Sequence, residues 1–358
     1  MSRSVKFGKR TVGDGHPCFI TFEAGPTHDG LESACQLVSL AAEAGADAIK
    51  FQILDPDRLV ADKQQLLSFE ILINRETGET KTVEEPLYDI FKRRFLTPEE
   101  WLQVKAHSDS VGLAFFATVG FEDELDLLVE INCDSVKIAS TDINHWPLIR
   151  RVAQTGMCIQ LDTGNASLGE IEQAVDLVRA EGNERIIIHQ CPSGYPARLP
   201  SINLKIIQTL RQMFPYPVAY SDHTPGADMD IAAVAMGANL VEKTITVDRT
   251  IPRVEHIFSL EPQDMGGFIQ KIRDLEMALG SPRRILHPEE VVKRNRFRRS
   301  AFLKEAASAG TLLSDLKVEF RRPGDGIQPD QFEQIQKASI NKDLPPGYKL
   351  QFEDCSYA

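Results

Sequence analysis

The sequence predicts an α/β protein: a (β/α)8 barrel of the TIM type followed by a small, separate C-terminal domain. Three observations lead there. Short β-branched runs alternate with amphipathic helical patterns as far as residue 280. Several runs end in polar residues, as in Ala48-Ile49-Lys50-Phe51-Gln52, Ser135-Val136-Lys137-Ile138-Ala139-Ser140 and Leu240-Val241-Glu242-Lys243-Thr244. The pattern breaks at Gly280-Ser281-Pro282.

Taken in order, residues 5–12 alternate and reach Gly13-Asp14-Gly15, which predicts a hairpin turning there, placed at the barrel bottom. Strands are expected at 18–25, 48–52, 114–119, 135–140, 158–162, 185–191, 217–222 and 239–246. Helices are expected near 31–44, 98–110, 121–131, 146–155, 167–181, 201–213, 226–237 and 261–279. Thr97-Pro98-Glu99-Glu100 has an N-cap residue, a proline at the first helical position and an acidic first turn. Eight strand–helix units predict closure. The rival is an open doubly wound sheet, but no GxGxxG follows the first strand. Segment 53–96 reads as a long polar loop with a charge-rich centre at 75–81, a length that is often functional. Residues 1–280 are thus expected to form the barrel domain with its N-terminal hairpin, 281–299 a linker, and 300–358 a small domain with strands near 300–303 and 317–321.

Composition narrows the function classes. The 358 residues carry 40 basic and 52 acidic side chains, a net charge of −12, which disfavours nucleic acid or an anionic membrane as partner. The N-terminal residues lack an apolar signal core, and no run reaches a membrane-spanning length. The six cysteines form no CxxC pair and suit a reducing cytoplasm.

The chemistry gathers at strand ends. Glu23 closes the first strand, and His28 follows in the next loop. Lys50 and Lys137 aim two ammonium groups into one mouth, a repulsion that an anionic ligand would resolve; either could instead form a Schiff base. Ser140, Thr141, Thr163-Gly164, Ser193 and Ser221 add hydroxyls and amides of the kind a phosphate cradle uses. His223, Glu242, Glu255 and His256 could together hold a divalent cation or move protons.

In this order, the residues resemble the sialic acid synthase family. The resemblance rests on Phe22-Glu23-Ala24-Gly25-Pro26-Thr27-His28-Asp29-Gly30, Gly45-Ala46-Asp47-Ala48-Ile49-Lys50-Phe51-Gln52 and Val136-Lys137-Ile138-Ala139-Ser140-Thr141-Asp142. It continues through Cys191-Pro192-Ser193-Gly194-Tyr195-Pro196, Tyr220-Ser221-Asp222-His223-Thr224, His256-Ile257-Phe258-Ser259-Leu260-Glu261-Pro262 and Arg321-Arg322-Pro323-Gly324-Asp325-Gly326. The last segment is similar to the turn of a C-terminal antifreeze-like (SAF) domain. The resemblance implies condensation of phosphoenolpyruvate with a C6 aldose, such as an N-acylhexosamine, to a nine-carbon 2-keto-3-deoxy acid. It gives Lys50, Lys137, Thr118, Ser140, Ser193 and Ser221 to phosphoenolpyruvate, and Gln52, Tyr195 and Glu255 to the sugar. Asp142 becomes a candidate acid/base, beside Glu23 and Glu242 among the catalytic candidates. His223 becomes a ligand to a divalent metal, Mg or Mn with Co as a further option. Arg322 would reach a partner's barrel in a domain-swapped homodimer. The alternatives are a 3-deoxy-ketoacid synthase acting on a phosphorylated sugar and a non-catalytic sugar-binding homologue.

The chain departs from the family at instructive places. Thr244 stands where the family has a second metal-binding histidine, and a hydroxyl suits a hard ion better than a transition metal. His256 or Glu242 could compensate. Thr27, Asp142 and Glu255 replace the usual Asn, Glu and Asp, which points to an altered acceptor site.

Overall fold

The computed structural model describes residues 3–357. The chain divides into two compact units, residues 1–280 and 281–358.

The first unit opens with an antiparallel hairpin, β1 (Ser4–Phe7) and β2 (Arg10–Gly13). Its tip is Gly8-Lys9, not the expected Gly13-Asp14-Gly15, and Gly8 has the positive φ of 55° that a tight turn asks of its glycine. Gly13 serves a different need: a Cβ there would lie 1.9 Å from the Arg3 carbonyl oxygen. Val5, Phe7 and Val12 turn inward and seal the barrel against Phe19, Phe116 and Ile187.

The first two barrel strands are β3 (Phe19–Glu23) and β4 (Ala48–Gln52). An excursion follows, built on β5 (Leu66–Asn74) and β6 (Glu79–Pro86). The barrel resumes with β7 (Ala114–Thr118), β8 (Ser135–Ile138), β9 (Cys158–Asp162), β10 (Ile186–Gln190), β11 (Val218–Asp222) and β12 (Leu240–Thr244). All eight barrel strands are parallel, and β12 pairs with β3 in the register Thr244↔Glu23, which closes the ring. The open-sheet rival is thereby excluded.

Outward residues such as Phe22, Ile49, Phe51 and Phe115 pack beneath the helices. The helices fall where the periodicity places them, with one exception: the run 201–213 is two pieces, Leu199–Ile202 and Ile206–Met213, separated where Asn203 adopts a φ of 48°. The Thr97 signal is a complete capping box: its hydroxyl accepts from the Glu100 amide at 3.3 Å, and the Glu100 carboxylate accepts from the Thr97 amide at 2.7 Å.

Segment 53–96 is not a plain loop. The β5–β6 hairpin leads into a helix, Leu87–Arg94, and Phe69 and Ile71 pack against Ile90 and Val254. Arg75 fastens it by bidentate contacts to Glu261, both at 2.6 Å, and by a 2.7 Å contact to Asp248.

In the second unit, the stretch expected to be a linker carries a helix, Pro288–Phe297. Next come β13 (Ser300–Leu303), β14 (Val318–Arg321), β15 (Ser339–Ile340) and β16 (Cys355–Ser356). They enclose a small core that includes Ala301, Leu313, Ile327, Phe332 and Leu350. All six cysteines are free thiols. No helix among the described residues is long and apolar enough to cross a membrane.

Candidate active site

Side chains alternate along a strand, so every second residue of a barrel strand points inward. The first inward layer is largely apolar and faces the plug. The next holds Lys50, Lys137, Gln160, His189, Ser221 and Glu242, and above it come Glu23, Gln52, Thr118, Asp162, His223 and Thr244. Because the strands are parallel, all these polar ends share one mouth.

The two lysines do not face each other across an empty space. Glu242 lies between them, its Oε1 2.6 Å from the Lys137 ammonium and 3.8 Å from that of Lys50. Asp162 stands 3.0 Å from Lys137, and Glu23 is in direct contact with Lys50. The anion that resolves the lysine repulsion is therefore carried by the chain itself. Glu23 is aimed by its surroundings: the Gly25 amide donates to its Oε1 at 2.6 Å, and a Cβ at residue 25 would come within 2.5 Å of that oxygen.

Burial would raise the Glu242 carboxyl, but Lys137 and Lys50 outweigh it and hold the group well below the usual carboxylate range. Burial pulls the Lys50 ammonium down to about 8, with Glu242 opposing and Lys137 reinforcing. Lys137 moves the other way: Asp162 and Glu242 overcome its burial and keep it protonated. Beside them His189 sits with Nε2 2.7 Å from Gln160 Oε1 and Nδ1 2.9 Å from Ser221 Oγ. Burial and then Lys137 depress that imidazole to about 4, so it is neutral, and Lys137 donates to Ser221 Oγ at 3.1 Å.

Above this network opens a cavity of about 400 Å³. Its wall includes Glu23, Lys50, Gln52, Thr118, Ser140, Asp142, Tyr195, His223, Glu242 and Glu255. With Thr141, which also lines it, the structure brings together eleven of the residues singled out from sequence. Lys137 and Ser221 belong to the same network but lie beneath the cavity floor, fully buried. Ser193 is exposed at the rim, its hydroxyl 2.9 Å from both the Gly164 carbonyl oxygen and Asn165 Oδ1, and does not line the cavity. Thr244 is buried beside Glu23. Arg322, in the second unit, is exposed, with its guanidinium over the Phe297 ring at 5.4 Å.

One expectation is corrected. His256 does not join His223: it lies 2.7 Å from Thr246 Oγ1 and faces a different cavity, lined by Thr27, Asp29 and Arg253. Burial depresses it to about 4. His28 is likewise sequestered, packed edge-on against Phe51 and Trp101.

Asp162, His189, Arg94 and Glu124 join the network or the cavity wall although the sequence expectations do not include them. Asp162 and His189 were findable, because alternation from Cys158 and Ile187 turns both inward at strand ends. Arg94 and Glu124 also line the cavity, but they come from helices, where no strand-end signal marks them. Burial raises the Glu124 carboxyl to about 7, although its Oε2 accepts from the Gly120 amide at 2.7 Å.

Residues 37–284 match the model of the NeuB family. The chain belongs to that family. It is 33% identical over 351 residues to the N,N'-diacetyllegionaminic acid synthase of Legionella pneumophila, covering 97% of each chain. It is 31% identical to the human N-acetylneuraminate-9-phosphate synthase, covering 85% of this chain and 83% of that one. The crystal structure of the N-acetylneuraminic acid synthetase of Leptospira borgpetersenii superposes with a TM-score of 0.71 at 30% identity, over 83% of this chain and 98% of that chain.

A divalent metal can be tested against the donors present. Nδ1 of His223 is 3.2 Å from the Pro192 carbonyl oxygen, which fixes the tautomer and leaves Nε2 for a ligand on the cavity side. No cluster of three His, Cys, Asp or Glu side chains able to hold an ion occurs among the described residues. The donors a divalent ion would use here are the His223 imidazole and oxygen from Glu255, substrate or water.

Proposed function

We propose that the barrel condenses phosphoenolpyruvate with a C6 aldose, an N-acylated amino hexose or a close relative, giving a nine-carbon 2-keto-3-deoxy acid and inorganic phosphate. The observation that carries this reading is the buried Lys50–Glu242–Lys137 network flooring a polar cavity in a NeuB-family chain.

In this reading Lys50, the lysine that faces the cavity, meets the anionic groups of phosphoenolpyruvate. Lys137 keeps the field positive from beneath. Thr118, Ser140 and, at the rim, Ser193 supply hydroxyls, and Ser221 steadies Lys137. Gln52, Tyr195 and Glu255 face the sugar. A divalent ion of the Mg or Mn type at His223 would supply a Lewis acid that polarises the aldehyde. C3 of phosphoenolpyruvate attacks the aldehyde carbon, and the C–C bond leaves an alkoxide and positive character at C2. Asp142, whose carboxyl burial raises, would deliver the alkoxide's proton in this reading. Water adds at C2, Glu23 or Glu242 taking its proton, and the tetrahedral adduct expels phosphate by C–O cleavage. Holding both reactants in one cavity contributes through proximity.

Arg322 is assigned to the mouth of a second subunit's barrel in a domain-swapped homodimer. Mixed Arg322→Ala and Lys137→Ala subunits are expected to regain activity; none under subunit exchange rejects that assignment. The free thiols fit a cytoplasmic setting. The deciding experiment is phosphate release from phosphoenolpyruvate with N-acetylmannosamine, its 2,4-diacetamido-6-deoxy relatives and mannose, each with Mg, Mn or Co, with product masses. Sugar-dependent release with a three-carbon keto-acid gain supports the reading; no release with any sugar and metal overturns it.

A further inference from the structure

Arg94 ends the helix Leu87–Arg94 and is 5% exposed. It has no hydrogen bond or ion pair among the described residues, whereas its neighbour Arg93 pairs with Glu85. Burial lowers its guanidinium to about 10, with Glu255 and Glu85 opposing and Arg93 reinforcing. A guanidinium mostly out of water and without a protein partner leaves its five donors to whatever enters the cavity beside it. This one lines the barrel-mouth cavity.

The surroundings state what it would hold. Leu87, Ile90, Phe91 and Arg94 are spaced i, i+3, i+4 and i+7, and all four line the cavity, so one helical stripe faces it. Leu59 and Val254 continue the apolar wall. A second phosphate is a poor occupant here. Its charge would meet a wall carrying Glu124, Asp142 and Glu255, with hydrocarbon around the single guanidinium. A neutral group with a carbonyl oxygen at one end and an alkyl group at the other fits both features.

We propose that Arg94 is a specificity-determining residue: it donates to the carbonyl oxygen of an acylamino substituent on the acceptor, whose alkyl end lies on the Leu87–Ile90–Phe91 stripe. The inference rests on the acceptor-sugar reading above and deepens it.

Calorimetry with N-acetylmannosaminitol and mannitol tests it without turnover, since neither alditol carries an aldehyde. Wild type should prefer the acetylated alditol. Arg94→Met should weaken that ligand by roughly 10- to 100-fold, the range of one hydrogen bond to a charged group, and leave mannitol unchanged. Arg94→Lys should fall between, keeping the charge but losing the fork. Melting curves verify that the variants fold. The proposal is overturned if wild type binds neither alditol or lacks the preference. It is also overturned if Arg94→Met keeps the preference or weakens both ligands equally, or if a 6-phosphorylated alditol binds more tightly and loses most. Sugar-dependent phosphate release with Arg94-independent binding rejects this inference alone. Arg94-dependent binding without phosphate release rejects the condensation reading alone.

Discussion

The two ends of the barrel are made by the same eight strands and could hardly differ more. At the bottom, Phe19, Ala48, Phe116, Cys158, Ile187, Ala219 and Leu240 meet the hairpin plug in a largely apolar layer, with the buried Ser135 of β8 between Phe116 and Cys158. Two residues further along stand Lys50, His189, Ser221 and Glu242, and beyond Ser135 on β8 stands Lys137, all buried. One end is hydrocarbon held by packing, and the other is a charge network held by pairing. A buried apolar side chain stabilises by leaving water. A buried charge costs free energy that its partner only offsets. The bottom is therefore read as the end that holds the fold together, and the mouth as the end kept for chemistry.

The largest effect is expected where the charge network is broken. Lys137→Met leaves Asp162 without its lysine and Glu242 with only the more distant Lys50, and should cost about 3–5 kcal/mol of stability. Activity should fall at least 100- to 1000-fold, on the order of the loss of one preorganised electrostatic group. Adding Glu242→Gln to Lys137→Met should restore much of the stability and none of the activity. Chemical denaturation alongside phosphate release measures both, and recovery of activity in the double variant would deny Lys137 a role beyond folding.

The matching change at the other end is Phe7→Ala. Phe7 is fully buried, 4.6 Å from the Phe19 ring and 5.2 Å from that of Phe116, centroid to centroid. Its loss should cost about 3–5 kcal/mol. Turnover per folded molecule should stay unchanged, since no plug residue lines the cavity. A fall in turnover without loss of stability would break the division between the two ends.

Lys50 sharpens the comparison, because it is the cation at the boundary between network and cavity. Its folded-state value, about 8, lies below the ordinary lysine value of 10.5. The folded state therefore holds fewer protons than the unfolded state between these values. The group's penalty on stability is full below pH 8 and is relieved as pH rises through that window. Affinity for the phosphoenolpyruvate anion runs the other way. The Michaelis constant for phosphoenolpyruvate should rise above pH 8, by on the order of tenfold per pH unit, as the ammonium deprotonates. Lys50→Arg should flatten that rise. A flat wild-type profile to pH 10 would mean that the contact with Glu23 keeps Lys50 charged.

Much of this architecture is legible in the sequence, for a local reason. A barrel strand carries its own alternation, so Ala48–Gln52 announces both its strand and the inward direction of Lys50. Closure follows from repeating that unit. Pairing is not local. Glu242 is recognisable as an inward acid, yet nothing in its neighbourhood says that it lies between lysines from β4 and β8. The hairpin tip was misplaced because Gly13 signals turning as strongly as Gly8 does, although its lack of a side chain serves a close approach to Arg3. The excursion shows the same limit. Phe69 and Ile71 alternate with Ser68 and Glu70, but the charged turn beyond them hides the pattern. The burial of Arg94 depends on that hairpin folding and could not be read ahead of it.

Thr244 carries the smallest expected effect and the finest test of the mouth. It is 1% exposed on the strand next to His223's, in register with Glu23, and it follows Glu242 by one alternation, so it points inward. If a cation sits at His223, Thr244 offers it at most a hydroxyl. Thr244→His would place a second imidazole there and shift preference toward Mn, Co or Zn over Mg. Affinity for Co should tighten by at least the roughly tenfold that even an outer-shell partner contributes, measured by calorimetry on the protein without substrate. Because the change replaces one inward polar group by another at the charged end, stability should move far less than in Phe7→Ala. Unchanged Co affinity with an intact fold would mean that Thr244 does not face the ion. Any preference for a hard ion would then have to come from Glu255 and the substrate's own oxygens.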